Sequence, residues 1–422
     1  GLTVIDEEHD SSYKQEDNIR YQARDLAVVK ANFEKSKLIL ASATPSLETI
    51  NNINNKKYHH VFLSKQYSGL PLPTISLVDL SKNKLEKNQW ISALLKTQID
   101  NCLTNKEQAL IFLNRRGYSP LSLCVECGYR HQCTQCSSWL VMHQQKKRLL
   151  CHQCGSIEEM SYNCPKCLAK DSIKFIGPGV ERIAEELSLA FPDKVVNVMS
   201  SDLINSPKKI KELIAKFSNK EIDIIVATQI MAKGYDFPNL SLVGVIDADA
   251  GLFGGDMRAI EKTYNMLQQV SGRAGRSQQA GKVIIQTYQP DHYAIKTAAT
   301  QNYQSFFDIE SMNRRNHVQP PYSKIIRLLR QDVDDISGQR EAKQLAKLLE
   351  EQRQIWGLSD TEILGPTQAF PSRVRGRYRW QLILRGPNPR TLLETISLPG
   401  VSDERRSMKR GWVLDVDSYL SI

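Results

Sequence analysis

Three groups of residues in this chain have the types and spacing to do chemistry: paired cysteines, a strand-end acidic cluster and a pair of arginines. Eight of the nine cysteines fall in four C-x-x-C pairs, Cys124/Cys127, Cys133/Cys136, Cys151/Cys154 and Cys164/Cys167. A two-residue gap lets two thiolates converge on one tetrahedral ion, and two such pairs complete an all-thiolate zinc site. Four pairs therefore predict two zinc ions, structural and not catalytic, since no three-ligand open arrangement is visible. The competing reading is a framework of four disulfides, which needs an oxidising compartment and fits poorly inside a long cytosolic-looking α/β sequence. The loops between pairs run five, fourteen and nine residues, and both a nested and an interleaved pairing suit them. His131, His143 and His152 lie nearby but are not needed as ligands beside eight thiolates. Cys102 sits in an apolar helical pattern and reads as a small buried hydrophobe.

The acidic cluster is Asp6-Glu7-Glu8-His9, directly after the β-prone run Gly1-Leu-Thr-Val-Ile5. A buried parallel strand ending this way places carboxylates at the carboxyl edge of a sheet, where α/β proteins bind ligands. There Asp6 can hold Mg²⁺ and Glu7 can orient an attacking water, as in nucleotide hydrolases. Taken alone, the tetrapeptide reads sooner as a solvated acidic turn. The arginines lie in Gln269-Val-Ser-Gly272-Arg273-Ala-Gly275-Arg276. Spaced by three at an expected helix start, with glycines allowing close approach, both guanidinia can face one γ-phosphate, the geometry of an arginine finger in cis. A basic surface patch is the simpler alternative.

Elements able to position these groups follow from the pattern. At 422 residues the chain should hold two to four domains, and 41% hydrophobic content is ordinary for a soluble globular protein. A net charge of +10 favours a polyanionic partner such as nucleic acid, or serves only solubility. No apolar run approaches a membrane span, so no membrane partner is expected. The chain starts at Gly1 with an apolar run already under way, so it is expected to be a fragment. A loop with Tyr13, Lys14, Gln15, Arg20, Tyr21 and Arg24 mixes aromatics with cations, which suits stacking on unpaired bases. A helix over 23–33 should follow, then strand 38–40 ending in Ser42-Ala43-Thr44-Pro45. Gly69 to Pro73 reads as a linker. Helical 90–102 precedes strand 109–113, which runs into Asn114-Arg115-Arg116-Gly117. The cysteine block then interrupts an α/β pattern that resumes at 174–176. Ser206 and Pro207 mark the start of a helix over 207–217, with Ile210, Leu213, Ile214 and Phe217 on one face. Strand 223–226 leads to Thr228, Gly234 and Asp236, strand 242–246 ends at Asp247-Ala-Asp249, and strand 283–285 follows the arginine pair. Alternation of this kind means a parallel, doubly wound sheet.

The order D-E-E-H, S-A-T, A-T-x-x-x-x-x-G-x-D and Q-x-x-G-R-x-G-R resembles motifs II, III, V and VI of two-lobed DExH-type helicases. With F-L-N-R-R-G-Y and eight cysteines inside the second lobe, the chain resembles the PriA family of primosomal replication-restart helicases over essentially its whole length. The resemblance implies an α/β fold of two RecA-like lobes, the first truncated, a two-zinc insertion in the second and a small α+β C-terminal domain. Its divisions would be 1–70, 71–123, 124–170, 171–304 and 305–422.

The resemblance also implies an ATP- and Mg²⁺-dependent 3′→5′ DNA helicase that remodels stalled forks and initiates primosome assembly, in the cytoplasm and near the nucleoid. Implied partners are forked and single-stranded DNA, single-stranded DNA-binding protein, PriB, DnaT, and the replicative helicase with its loader. Asp6 and Glu7 would be Mg²⁺ ligand and water-orienting base, and His9, Ser42 and Thr44 would couple hydrolysis to DNA. Thr228 would touch the DNA backbone, and Gly234 and Asp236 the nucleotide. Gln269, Arg273 and Arg276 would face the γ-phosphate, with Arg276 as the finger. The Tyr13–Arg24 segment, including Lys14 and Tyr21, stands where the family has a DNA-sensing loop. Family pairing of the cysteines is nested, giving Cys124, Cys127, Cys164 and Cys167 one ion and Cys133, Cys136, Cys151 and Cys154 the other. No Gly-x-x-x-x-Gly-Lys-Ser/Thr occurs in the chain, so by itself it should neither bind ATP properly nor unwind DNA. Ile19 stands where many relatives carry Trp, and residues 199–202 match the family's charged run poorly.

From about residue 305 the character changes. Alternation in 370–380 should set Arg373, Arg375, Arg377 and Arg379 on one face of an extended segment, about 6.6 to 7 Å apart. That spacing suits DNA phosphates. The acidic tail of single-stranded DNA-binding protein is a second candidate, supported by the resemblance, and a solvated basic hairpin a third. The rival to a motor is a non-enzymatic zinc-ribbon DNA-binding scaffold that recruits primosome proteins.

Overall fold

Apolar strands that end in polar residues are the building blocks of this molecule's parallel sheets. The computed structural model describes residues 1–422 apart from 16–18, 64–70, 87–88, 114–120, 125, 136–139, 144–147, 152–155, 177–178, 201–205, 229–236, 253–255, 276–280, 396–411 and 419–422. The first part comprises β1 (Leu2–Asp6), a small hairpin of β2 (Lys14–Gln15) and β3 (Tyr21–Gln22), α1 (Ala23–Glu34), β4 (Lys37–Ala41) and α2 (Leu47–Asn54). β1 and β4 run parallel, with Asp6 opposite Ala41. The acidic cluster and the Ser42 segment therefore leave the sheet at the same edge.

The second part is a lobe with strands β5 (Thr74–Asp79), β6 (Gln108–Leu113), β12 (Val196–Met199), β13 (Ile224–Ala227), β14 (Leu240–Ile246) and β15 (Lys282–Thr287). They form one parallel sheet in the order β12-β13-β6-β14-β15-β5. Every residue of β6 and β13 is buried, as expected of strands covered by helices on both faces. The covering helices are α3 (Ala93–Thr104), α4 (Val180–Ala190), α5 (Pro207–Ser218) and α6 (Ala259–Ser271), followed by α7 (Tyr293–Ala299) and α8 (Tyr303–Asn316). Ser206 stands at the start of α5 but makes no side-chain capping bond. Gly281 approaches the backbone of the arginine segment so closely that a Cβ there would lie 2.4 Å from the Ala274 carbonyl carbon. Between β6 and β12 lies the cysteine-rich unit, an antiparallel sheet ordered β10 (Ile157–Glu159), β9 (Arg148–Leu150), β8 (Val141–His143), β7 (Leu121–Cys124), β11 (Ile173–Ile176).

The expected division at 305 falls inside α8, whose Phe306 stacks on Tyr264 of α6 with centroids 4.0 Å apart. That helix belongs to the core of the second lobe. The C-terminal sheet begins later, ordered β17 (Glu362–Val374), β18 (Arg377–Gly386), β16 (Lys324–Asp332), β19 (Trp412–Val416), and is crossed by α9 (Asp335–Ile355) and α10 (Pro389–Glu394). Its arginine run departs from expectation. Arg375 and Gly376 have φ of 49° and 76°, the left-handed pair of a two-residue hairpin turn, so 370–380 reverses direction. Arg375 and Arg377 are exposed near the turn, Arg373 stacks on the Tyr378 ring at 5.0 Å, and Arg379 is buried, donating to Pro371 O at 3.0 Å. A single face of four arginines does not form.

Buried ion pairs join the first part to the second lobe. Glu261 of α6 accepts from the Leu47 N–H at the start of α2 (3.1 Å) and from Arg314 of α8 (2.7 Å). Arg314, 1% exposed, also donates to Glu310 at 2.8 Å. Arg258 holds Glu48 of α2. Burial raises the Glu48 carboxyl, but Arg258, Arg314 and Arg24 outweigh it and hold it down to about 2. Arg314→Met should strand two buried carboxylates and cost about 3–5 kcal/mol. Urea unfolding measures this, and a loss below about 1 kcal/mol would show that the network tolerates the gap.

Candidate nucleotide and zinc sites

The acidic cluster is held in shape by its own backbone. Glu7 has φ 48°, and its N–H donates to Asp6 Oδ1 at 3.0 Å. Asp10 N–H donates to Glu7 O at 2.8 Å, and the Tyr13 hydroxyl donates to Asp6 O at 2.8 Å. Desolvation, then the charges of Asp10, Asp6 and Glu7, push the Tyr13 phenol up, which keeps it a donor. The Asp6 side of this edge is exposed. Glu7 Oε2 is buried, accepts no hydrogen bond among the described residues, and lies 3.6 Å from His9 Nδ1.

His9 is the junction of the site. Its Nδ1 lies 2.7 Å from Ser42 Oγ and its Nε2 lies 3.0 Å from Gln269 Nε2. With the Gln269 amide donating to Nε2, the ring proton sits on Nδ1 and points to Ser42. Ser42 Oγ in turn accepts the Thr44 N–H at 3.0 Å, while the Thr44 hydroxyl is buried without a hydrogen bond among the described residues. Residues 9, 42 and 269 come from three distant stretches and meet at one ring. Arg273 is buried one turn beyond Gln269, and Thr228 stands at the end of β13 with its N–H on Met199 O at 3.3 Å. Gly234, Asp236 and Arg276 lie outside the described residues.

Three residues of the aromatic-and-basic loop are placed differently from each other. Tyr21 is exposed, whereas Arg24 is buried and pairs with Glu8 at 3.0 Å and Asp25 at 2.9 Å. Glu8 is itself 1% exposed and also accepts from Ser46 N–H, the cap of α2, at 2.6 Å. Lys14 is buried and paired with Asp415 at 3.0 Å. Here Lys14 and Arg24 serve the protein's interior and are not open to a phosphate. Nothing in the local pattern separates Glu8 from its acidic neighbours, and Asp415 lies 401 positions from Lys14. Neither role could be read from spacing.

In the cysteine-rich unit, Cys124, Cys127, Cys164 and Cys167 bring their sulfurs within 4.8 Å of one another. Cys124 Sγ is 3.7 Å from Cys167 Sγ, and Cys127 Sγ is 3.6 Å from Cys164 Sγ. Thiolates about 2.3 Å from a tetrahedral zinc stand about 3.8 Å apart, so the cluster fits the ion. Desolvation would raise the Cys124 thiol, but the Ser172 hydroxyl and the Cys127 and Glu126 N–H groups hold it down at about 6. Desolvation and the neighbouring thiols push Cys127 up to about 12. Four thiolates at this range need a cation. This pairing is first with last, one of the arrangements the spacing left open. Cys133 and Cys151 are buried close by, whereas Cys136 and Cys154 lie outside the described residues.

Comparison with known proteins agrees with this geometry. Residues 179–278 match the helicase conserved C-terminal domain, 133–158 the PriA DNA helicase Cys-rich region domain, and 316–419 the primosomal protein N C-terminal domain. The chain belongs to the PriA family. It is 46% identical over 384 residues to the replication restart protein PriA of Rickettsia prowazekii, covering 91% of this chain and 58% of that one. To PriA of Bacillus subtilis it is 37% identical over 386 residues, covering 91% and 47%. The chain thus spans about half the length of these relatives. A solved structure of RecG bound to a three-way DNA junction shares 15% identity over 75% of this chain and 30% of that one, with a TM-score of 0.38. The second lobe of this chain is RecA-like, with a Cys-rich ribbon and a small C-terminal domain attached. Among the described residues no helix is long and apolar enough to cross a membrane.

Proposed function

We propose that this chain of the PriA family works within an ATP-dependent 3′→5′ DNA helicase that remodels stalled or abandoned replication forks and initiates primosome assembly in the cytoplasm. The supporting observation is the His9 junction, which ties the acidic cluster to Ser42 and to Gln269 of the second lobe. A ring bonded on both sides cannot stay put if the two parts move, so closure around nucleotide and displacement along DNA become one event. In this reading Asp6 holds Mg²⁺, which when bound neutralises phosphate charge, and the free buried oxygen of Glu7 orients the attacking water. Gln269, Arg273 and Arg276 face the γ-phosphate, Gly234 and Asp236 line the nucleotide side, and Thr228 touches the DNA backbone. Tyr21 and the exposed Arg375 and Arg377 serve forked or single-stranded DNA or the acidic tail of single-stranded DNA-binding protein. PriB, DnaT and the replicative helicase with its loader are the further partners, and a second zinc sits on Cys133, Cys136, Cys151 and Cys154.

The test is ATP hydrolysis by the full-length protein with and without forked DNA. Gln269→Ala should cut the stimulation by DNA on the order of tenfold or more and spare DNA binding. A folded, zinc-loaded full-length protein that hydrolyses no ATP would favour the non-enzymatic zinc-ribbon scaffold instead.

A further inference from the structure

A buried carboxylate of the C-terminal domain holds the segment that follows the acidic cluster. Asp415, on β19 and opposite Arg327 of β16, has a side chain only 1% exposed. Its Oδ1 lies 3.0 Å from Lys14 Nζ and its Oδ2 3.2 Å from Arg20 Nη1. Lys14 Nζ also donates to Val416 O at 2.9 Å and Asp417 O at 3.4 Å, so both the side chain and the backbone of this strand end grip it. Lys14 begins β2 and Arg20 directly precedes β3, so one carboxylate ties the two arms of that hairpin together.

The grip reaches the reacting end of β1 through few soft bonds. Residues 7–14 are a run of tight turns, with Asp10 N–H on Glu7 O, Tyr13 N–H on Asp10 O and Ser12 N–H on Asp10 Oδ1. Tyr13, next to Lys14, donates to the backbone carbonyl of Asp6. From the other side, β19 pairs with β16, and β16 pairs with β18, which begins at the exposed Arg377. An ion pair taken out of water is held only by good geometry, so a shift of β19 must either carry Lys14 with it or break the pair.

We infer that Asp415 is a positioning residue for the nucleotide site, fixing the Asp6–Tyr13 segment from the C-terminal domain through Lys14 and Arg20. The inference rests on the reading of Asp6 and Glu7 as the hydrolytic edge. It makes the C-terminal sheet part of the motor's set-up and not an appendage, because whatever moves that sheet moves Tyr13 and the Asp6 carbonyl.

The experiment compares full-length protein with Asp415→Asn, Lys14→Met and the double variant. Three readings are taken: ATP kinetics, the apparent Mg²⁺ requirement, and hydrogen exchange over 10–22. The expected result is a kcat lower by about fivefold or more, and a rise of similar size in the Mg²⁺ needed, with KM for ATP nearly unchanged. Amides in 10–22 should exchange faster in both single variants, and the double should be no worse than either single. Single-variant kcat and Mg²⁺ requirement equal to wild type, or additive losses in the double, overturn the tie while leaving the hydrolytic reading standing. Absence of hydrolysis in the wild type overturns both. Should Asp415→Asn fail to fold, Lys14→Met with Arg20→Gln asks the same question from the hairpin side.

Discussion

Glu7→Gln in the full-length protein is expected to lower kcat for ATP hydrolysis by about 10²–10⁴-fold while DNA binding stays near wild type. The reason is local. Glu7 Oε2 is buried, without a hydrogen bond among the described residues, at the carboxyl edge of β1. An anionic acceptor kept free in that position can take a proton or orient a water, and an amide of the same shape cannot. The left-handed backbone at Glu7 and the bond from its N–H to Asp6 do not depend on the side-chain charge. The substitution therefore removes the anionic acceptor and leaves the turn. A second comparison sharpens the assignment: Glu8→Gln perturbs Arg24 and the cap of α2 and should act mainly on stability. If Glu7→Gln hydrolysed ATP within about threefold of wild type, the general-base role would have to pass to another residue.

Order along the chain made the acidic strand end readable. A β run ending in Asp6-Glu7-Glu8-His9 and a second strand ending at Ser42 are local patterns, and they sit at strand ends here too. The arginine pair is expected at a helix start, whereas α6 ends at Ser271 and the pair follows its C-terminus. The thiol pairs are readable for the same reason, since two residues between cysteines set a knuckle without help from the rest of the fold. Residues whose duty is set by a distant partner were not readable. Lys14 and Arg24 look like phosphate contacts in a loop of aromatics and cations, yet Asp415 and Glu8 take them inside. Period-two alternation put four arginines on one face, and two residues with positive φ turned the segment back on itself. Glu261 and Arg314 carry no motif at all, although they join α2 to the helix that ends at the arginine segment. Only the fold brings those pairs together.

Cys164→Ser should remove one zinc ion per chain and unfold the cysteine-rich unit around it. A structural all-thiolate site contributes on the order of 10 kcal/mol, far more than this small sheet can supply from packing. Buried side chains described in that unit are few, and four of them, Cys124, Cys133, Cys151 and Cys164, are themselves thiols. Without the ion, the sulfurs of the first cluster would crowd at 3.6–3.7 Å with little apolar surface to hold them. The effect should spread to the C-terminal hairpin. Gly376 N–H bonds to Gln135 O at 3.0 Å, and Val374 packs against the buried core of the unit. Zinc counting by mass spectrometry of metals should show one ion lost, and hydrogen exchange should rise both in 121–176 and near 374–376. Acid should do the same to wild type, because protons compete with zinc for the thiolates as pH falls. A Cys164→Ser protein that kept its full zinc count, or kept its amides protected, would mean that the ion is held elsewhere.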